Sequence, residues 1–105
     1  MKIIFHCGAG LSLLAAISLG ATVAAAQGSP AARSLAATCA NCHGTDGRSV
    51  GTMPGLAGVD QGYMAQQMKD YKTGKRPGTI MPQLAKGFSD EQIEQIAAYF
   101  AAQKK

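Results

Sequence analysis

Two cysteines and a histidine lie within one five-residue segment of this chain, Cys39-Ala40-Asn41-Cys42-His43. A chain of 105 residues is expected to hold one domain at most, which argues against a Rossmann domain, a TIM barrel and a multi-domain enzyme. So short a chain rarely buries enough apolar surface to offset its conformational entropy without a disulfide, a metal or a cofactor. We therefore expect this segment to bind whatever completes the core.

The first 26 residues predict a secretory signal peptide. Lys2 supplies a positive charge, residues 11–19 are apolar, and the alanines at 24–26 offer a small-residue cleavage site. Cleavage before Gln27 leaves a mature domain, residues 27–105, with nine basic and six acidic side chains. A signal of this kind predicts export of the mature domain.

Two residues of this N-terminal region bear on that prediction. His6 interrupts the apolar run, so an uncleaved membrane anchor is the alternative interpretation. Cys7 lies too early, and after the wrong residues, to be a lipoprotein cysteine. Both residues leave with a cleaved signal, and the mature chain then keeps two cysteines and one histidine.

Capping residues predict three helices in the mature chain. Ser29 followed by Pro30 predicts a helix that runs towards Cys39. Asp60 and Gly74 are typical of the first and last residues around a second helix. No stretch alternates with the period of a β-strand, so the pattern predicts an all-α domain.

The third helix has the most complete signal. Ser89 and Gln92 predict a capping box. The apolar stripe that follows consists of Ile93, Ile96, Ala97 and Phe100. Two Gly- and Pro-rich loops, residues 44–58 and 74–87, connect the three helices. Loops this long in so small a domain indicate that something packs against them.

The C-x-x-C-H spacing is the attachment signature of a c-type haem. Cys39 and Cys42 are three residues apart, so both thiols can reach the vinyl groups along one porphyrin edge. His43 is then carried under the iron and can coordinate it. Covalent linkage keeps the haem on a domain too small to retain it by packing, and the predicted export agrees because thioethers form after export.

Three other chemistries compete for the same residues. A structural zinc site needs four ligands, and the mature chain offers only Cys39, Cys42 and His43. A thioredoxin-like redox pair needs a βαβ context, which the pattern does not predict. A disulfide between the two cysteines would close a tiny, strained loop. A single covalent haem explains the motif, the small core and the long loops together.

The sixth ligand of the iron is predicted from the methionines, because one mature histidine excludes bis-His ligation within a chain. The candidates are Met53, Met64, Met68 and Met81. Met64 and Met68 have the helical spacing of a core face, and Met53 follows His43 too closely. Met81 lies 38 residues after His43 in a Gly/Pro-rich loop, so the chain can reach the opposite haem face there.

His/Met ligation predicts an electron-transfer site. It raises the reduction potential and leaves no open position for a substrate. A haem histidine normally donates its other ring N–H to an acceptor, and the carbonyl of Pro54 is the candidate. An ordinary turn proline is the alternative role for Pro54.

The chain resembles the class I cytochromes c over most of its mature length. The matching segments are Cys39–Gly47, Pro54–Gly58, the helix around Tyr63, Ile80-Met81, Leu84–Asp90 and Ile93–Phe100. Within that superfamily it looks most like two groups. One is the haem subunit of flavocytochrome c sulfide dehydrogenases, and the other is the short bacterial cytochromes that resemble half of a two-haem periplasmic cytochrome.

This resemblance implies a small class I cytochrome c fold, with about three main helices and long loops around one haem. By position, Cys39 and Cys42 match the thioether residues, His43 the proximal ligand and Met81 the distal ligand. Pro54 matches the carbonyl partner of the histidine. The resemblance also implies that the first and last helices pack across each other.

Three functions follow from these predictions. The first is a periplasmic one-electron carrier, and the second is the haem subunit of a flavin-dependent dehydrogenase. The third, a haem sensor or peroxidase-like protein, needs an open sixth position. We predict no substrate site on the chain itself, so it would be a carrier or an electron-transfer subunit rather than an enzyme on its own.

A cluster of basic side chains predicts where a redox partner docks. Its members are Lys69, Lys72, Lys75, Arg76 and Lys86. Such a surface steers an acidic protein towards an exposed haem edge. A solvated helix end is the alternative interpretation, and Asp70 within the cluster weakens the patch. An exported domain with few aromatic residues is a poor candidate for binding nucleic acid.

Overall fold

The computed structural model of the chain describes residues 28–105. The predicted signal peptide, its cleavage site and Cys7 lie outside the described residues. The described part is all-helical, as predicted, with five α-helices and one 3₁₀ turn. The α-helices are α1 (Pro30–Ala37), α2 (Ala40–His43), α3 (Gln61–Thr73), α4 (Met81–Ala85) and α5 (Asp90–Ala101), and the 3₁₀ turn is Thr45–Gly47.

The predicted caps start the longer helices. The Ser29 hydroxyl accepts from the amide of Ala32 at 3.1 Å, so α1 begins where its cap predicts. The Asp60 carboxylate accepts from the amide of Tyr63 at 2.8 Å and starts α3. Gly74 ends α3 with a left-handed φ of 81°, a conformation that glycine adopts without strain.

The predicted capping box begins α5. The Ser89 hydroxyl accepts from the amide of Gln92 at 3.1 Å, and the Gln92 side chain accepts from the amide of Ser89 at 2.9 Å. Two amides that lack partners within the helix are therefore satisfied. Asp90 and Glu91 in the first turn add the charge that the helix dipole favours there.

The two short helices were not predicted. The helix α2 falls inside the Cys39–His43 segment, and α4 falls inside the predicted loop 74–87. One turn of helix is too short to show an apolar period. Pro82 is the second residue of α4. Its fixed φ suits the first turn of a helix, so this proline favours the start of α4.

The core forms where α5 packs against both α1 and α3, with α4 against α3. The largest fully buried side chains are Ile93, Ile96 and Phe100, all on α5. The packing of the first and last helices that the resemblance implied is confirmed. No helix within residues 28–105 is long and apolar enough to cross a membrane.

Candidate functional site

The cysteines and the histidine share one helical turn. The amide of His43 donates to the carbonyl of Cys39 at 2.9 Å, and the amide of Cys42 donates to the same oxygen at 3.2 Å. Residues three and four positions apart in such a turn lie on one face. The two thiols and the imidazole are thus presented to the same side of the chain.

Both cysteines are free thiols, Cys39 half-buried and Cys42 exposed. Burial raises the pKa of Cys39; a hydrogen bond with Thr38 opposes this shift, and the neighbouring Cys42 adds to it. Cys39 therefore keeps its proton at neutral pH, unlike the low-pKa thiolate of a redox-active pair.

The ring of His43 is buried, and its Nδ1 lies 2.7 Å from the carbonyl oxygen of Pro54. A carbonyl oxygen can only accept, so Nδ1 carries the proton of this hydrogen bond. In the neutral imidazole the lone pair then resides on Nε2, which is the form that binds a metal. The contact sets both the tautomer and the orientation of the ring.

A closed loop holds Pro54 in this place. The carbonyl of Gly47 accepts from the amides of Leu56 and Ala57 at 2.8 and 3.1 Å, which joins the two ends of the loop. Gly47 has a φ of +78°, and a Cβ there would lie 2.8 Å from the Phe100 ring and the Ala57 amide. Only glycine therefore fits where the loop closes against α5.

Met81 is the first residue of α4, and its half-buried side chain packs against the apolar core. Cys39 packs against the same core cluster. The neighbours Ile80 and Leu84, four residues apart, leave about half or more of their side chains exposed, at 62% and 50%. This face of α4 is an apolar surface beside Met81.

The other three candidate methionines differ from Met81 in burial. Met64 and Met68 are buried members of the core on α3, as their helical spacing predicts. Met53 is 44% exposed in the loop after the 3₁₀ turn. Met81 thus combines partial burial with a position next to an exposed apolar face.

Contacts with α3 fasten the chain that leads to Met81. The guanidinium of Arg76 lies 4.7 Å from the centre of the Tyr71 ring, and its amide donates to the Asp70 carbonyl at 3.0 Å. Gly78 passes so close to the same ring that a Cβ there would lie 3.1 Å from it. This role of Tyr71 was not predicted, although an aromatic residue before a Gly- and Arg-containing loop is a visible signal in the sequence.

The sequence profile of the family described as Cytochrome c matches residues 28–104, nearly all of the described chain. The chain belongs to the cytochrome c family. Cytochromes c carry covalently bound haem c and transfer electrons through it, so the predicted fold class, cofactor and chemistry are confirmed at the level of the family.

Individual relatives agree with this membership. A cytochrome c4 from Pseudomonas aeruginosa is 42% identical over 95 residues, which cover 90% of this chain and 47% of the relative. A cytochrome subunit of sulfide dehydrogenase from Chlorobaculum tepidum is 42% identical over 66 residues, covering 63% of this chain and 60% of the relative. The chain therefore spans about half the length of these relatives.

A solved structure shows the same fold. The cytochrome c4 of Acidithiobacillus ferrooxidans superposes with a TM-score of 0.63 at 32% identity, over 71% of this chain and 51% of that one.

The side chains present fit a haem c. The site supplies two free thiols on one helical face, an imidazole with Nε2 available, and a half-buried thioether beside apolar surface. Thiols form the thioether links, and imidazole and thioether are ligands that haem iron accepts in this family. The hydrogen bond from the imidazole to the Pro54 carbonyl orients the ring, as is usual for a histidine that binds a metal.

Much of the predicted basic docking surface is neutralised within the cytochrome c domain. Lys69 pairs with Glu94 at 2.6 Å, and Lys72 pairs with Asp90 at 2.8 Å, both across the α3–α5 contact. The distance from Lys75 to Asp70 is 3.9 Å. Arg76 stacks on Tyr71, as described above, and Lys86 is exposed at the end of α4. The acidic face of α5, which is distant in sequence, thus weakens the patch.

Proposed function

We propose that this cytochrome c domain is a one-electron carrier whose haem iron takes His43 and Met81 as its axial ligands. Cys39 and Cys42 form the two thioether links. The observation that carries the proposal is the hydrogen bond from His43 Nδ1 to the Pro54 carbonyl, at 2.7 Å. It leaves Nε2 with the lone pair on a ring already held in one orientation.

The surroundings of Met81 support its role as the second ligand. Its side chain packs against the core, and the loop before it is fastened to α3 through Tyr71 and Arg76. A thioether held by packing needs no charge or hydrogen bond to remain in place. Bound haem supplies the one-electron Fe(II)/Fe(III) couple, and a soft sulfur ligand favours the reduced form.

The test is the absorption spectrum of the purified holoprotein with single methionine substitutions. Met81→Ala is expected to open a coordination position, so that the ferric protein becomes high-spin and binds added imidazole. Met53→Ala is the matched control, because Met53 is exposed and lies in another loop. If Met53→Ala opens the site and Met81→Ala leaves the wild-type spectrum, the assignment of Met81 is wrong.

An open sixth position in the wild-type protein would instead indicate a sensor or a peroxidase-like enzyme. The same titration separates these classes. A His/Met-ligated wild type does not take up imidazole at concentrations that saturate Met81→Ala. Uptake by the wild type would contradict the carrier function.

A second candidate function is the haem subunit of a flavin-dependent dehydrogenase. It is favoured by the 42% identity to the cytochrome subunit of a sulfide dehydrogenase. In that case the redox partner is a flavoprotein that passes electrons singly to this domain. A periplasmic extract of the native cell, run over a sizing column, separates the two: haem eluting alone indicates a free carrier, and haem eluting with flavin indicates a subunit.

We also propose export to the periplasm and docking of an acidic redox protein at the basic surface. The signal-like sequence of the first 26 residues supports export. Lys75 and Lys86 are the exposed members of that surface, so they are the charges available for steering. Mass spectrometry of the purified protein tests the cleavage, with Gln27 expected as the first residue.

A further inference from the structure

Asp46 adopts a backbone conformation that is rare for its type. Its φ is +53° within the 3₁₀ turn, three residues after His43, and it is the one non-glycine residue in 28–105 with a positive φ. Such a residue persists where its surroundings hold it. Two residues contact the side chain of Asp46 and hold it in this conformation: Tyr99 and Arg48.

The principal contact of Asp46 comes from α5. The hydroxyl of Tyr99 donates to Asp46 Oδ1, across 53 residues of sequence. The Tyr99 ring is buried and packs edge-on against Phe100, with ring centres 5.3 Å apart. Burial raises the pKa of Tyr99, and Asp46 raises it further, so the hydroxyl keeps the proton that it donates.

A second contact comes from Arg48, on the other side of the turn. Its Nη1 lies 3.5 Å from Asp46 Oδ2, and its Nε donates to the Lys104 carbonyl at 2.9 Å. The turn is therefore attached both to α5 and to the chain beyond it. The Tyr99 hydroxyl is carried on a buried ring, whereas the Arg48 side chain is about half exposed.

The turn leads directly into the loop that carries the histidine's acceptor. Asp46 is followed by Gly47, whose carbonyl closes the loop by accepting from Leu56 and Ala57. Pro54 lies inside that closed loop, and its carbonyl accepts from His43. A continuous series of hydrogen bonds and chain links thus connects the buried ring of Tyr99 to the imidazole.

We propose that Tyr99 is a positioning residue for His43: through Asp46 and the loop closed by Gly47, its hydroxyl holds the Pro54 carbonyl against the imidazole. The inference rests on the proposed role of His43 as an iron ligand. The strength of the hydrogen bond from Nδ1–H to the Pro54 carbonyl sets how strongly Nε2 donates electrons to the iron. A looser Pro54 carbonyl makes Nε2 a weaker donor, which disfavours Fe(III) and raises the reduction potential.

The experiment uses the holoprotein with Tyr99→Phe, which removes the hydroxyl and keeps the packed ring. The exchange of the His43 ring N–H with deuterated water is followed by NMR, and the reduction potential is measured alongside. We expect exchange to be at least about fivefold faster, the effect of losing one ordinary hydrogen bond, together with a higher potential. Faster exchange with a higher potential supports the proposal.

Asp46 provides a second pair of variants in case Tyr99→Phe fails to fold. Asp46→Gly removes the acceptor but tolerates the positive φ, and should behave like Tyr99→Phe. Asp46→Asn keeps an acceptor and also tolerates that φ, and should stay near the wild type. Combining Tyr99→Phe with Asp46→Gly should add little, because both remove the same contact.

Ser89→Ala is the matched control for stability. It removes the cap at the opposite end of α5 and destabilises the same helix without touching Asp46. The proposal is overturned if Ser89→Ala speeds the exchange as much as Tyr99→Phe at equal loss of stability. It is also overturned if exchange and potential stay at wild-type values in Tyr99→Phe and Asp46→Gly. If the proposed function is wrong, the result is different: the NMR spectrum of the wild-type holoprotein then shows no iron ligation at the His43 ring.

Discussion

The Nδ1 atom of His43 lies 2.7 Å from the carbonyl oxygen of Pro54, eleven residues further along the chain. The contact joins the Cys39–His43 turn to the loop that follows it and fixes which ring nitrogen holds the proton. Because the acceptor is a main-chain carbonyl, no side-chain substitution at Pro54 removes it. Its placement depends instead on the residues that close the loop.

Gly47 is the residue at that closure, and Gly47→Ala is expected to destabilise the domain by about 2 kcal/mol or more. The added Cβ would approach Phe100 and the Ala57 amide at 2.8 Å, in a backbone conformation that disfavours alanine. Denaturant unfolding of the holoprotein measures the change. Gly51→Ala is the control, since nothing lies within 4 Å of its Cβ, and it should change the free energy of unfolding by less than about 0.5 kcal/mol.

Each of the two proposed thioether links is expected to hold the haem without the other. Cys39→Ala and Cys42→Ala should each keep haem attached through the remaining cysteine, because both thiols lie on the face of one turn. The double variant should lose all haem under denaturing conditions. Mass spectrometry of the denatured proteins measures attachment, and haem that stays bound to the double variant would contradict the site.

The pair between Lys72 and Asp90 predicts a pH dependence of stability. A hydrogen bond and the charge of Lys72 hold the pKa of Asp90 below its ordinary value. A carboxyl group whose folded pKa is lowered stabilises the fold above its unfolded pKa of about 3.9, and loses this contribution as pH falls through the folded pKa.

Lys72→Gln should therefore lower the free energy of unfolding at pH 7, and the difference from the wild type should shrink below about pH 4. Asp90 is exposed and Lys72 is partly exposed, so added salt should also reduce this difference. Urea unfolding at pH 7 and pH 3 measures the effect. A difference that is equal at both pH values would mean that packing of the lysine stem, not the ion pair, stabilises the α3–α5 contact.

Charge steering is expected to depend on Lys86 more than on Lys69. Lys69 is paired with Glu94, whereas Lys86 is exposed at the end of α4 beside Ile80 and Leu84. At low salt, Lys86→Gln should slow oxidation by hexacyanoferrate, an anionic oxidant, by about twofold to threefold. Lys69→Gln is the matched control with the same change in net charge. An equal or larger effect of Lys69→Gln would place the docking surface on α3 instead.

Local chemistry in the sequence determined much of this protein. The caps at Ser29, Asp60 and Ser89 started three helices at the predicted residues, because each cap satisfies amides only two or three positions away. The Cys39–His43 spacing likewise indicated a c-type haem protein, because the three side chains of the motif lie within one helical turn. The core stripe of α5 followed from helical periodicity.

Contacts between distant segments were decided by the tertiary structure. In the sequence only Asp70 interrupts the basic patch, yet α5 brings Glu94 and Asp90 onto it as well. Tyr99 lies beside the apolar stripe of α5 in the sequence, and only helix packing brings its hydroxyl to Asp46. Such contacts depend on how α1, α3 and α5 meet in space. A local pattern reports the hydrogen bonds and buried face of one element, but not which polar group of another element comes to lie beside it.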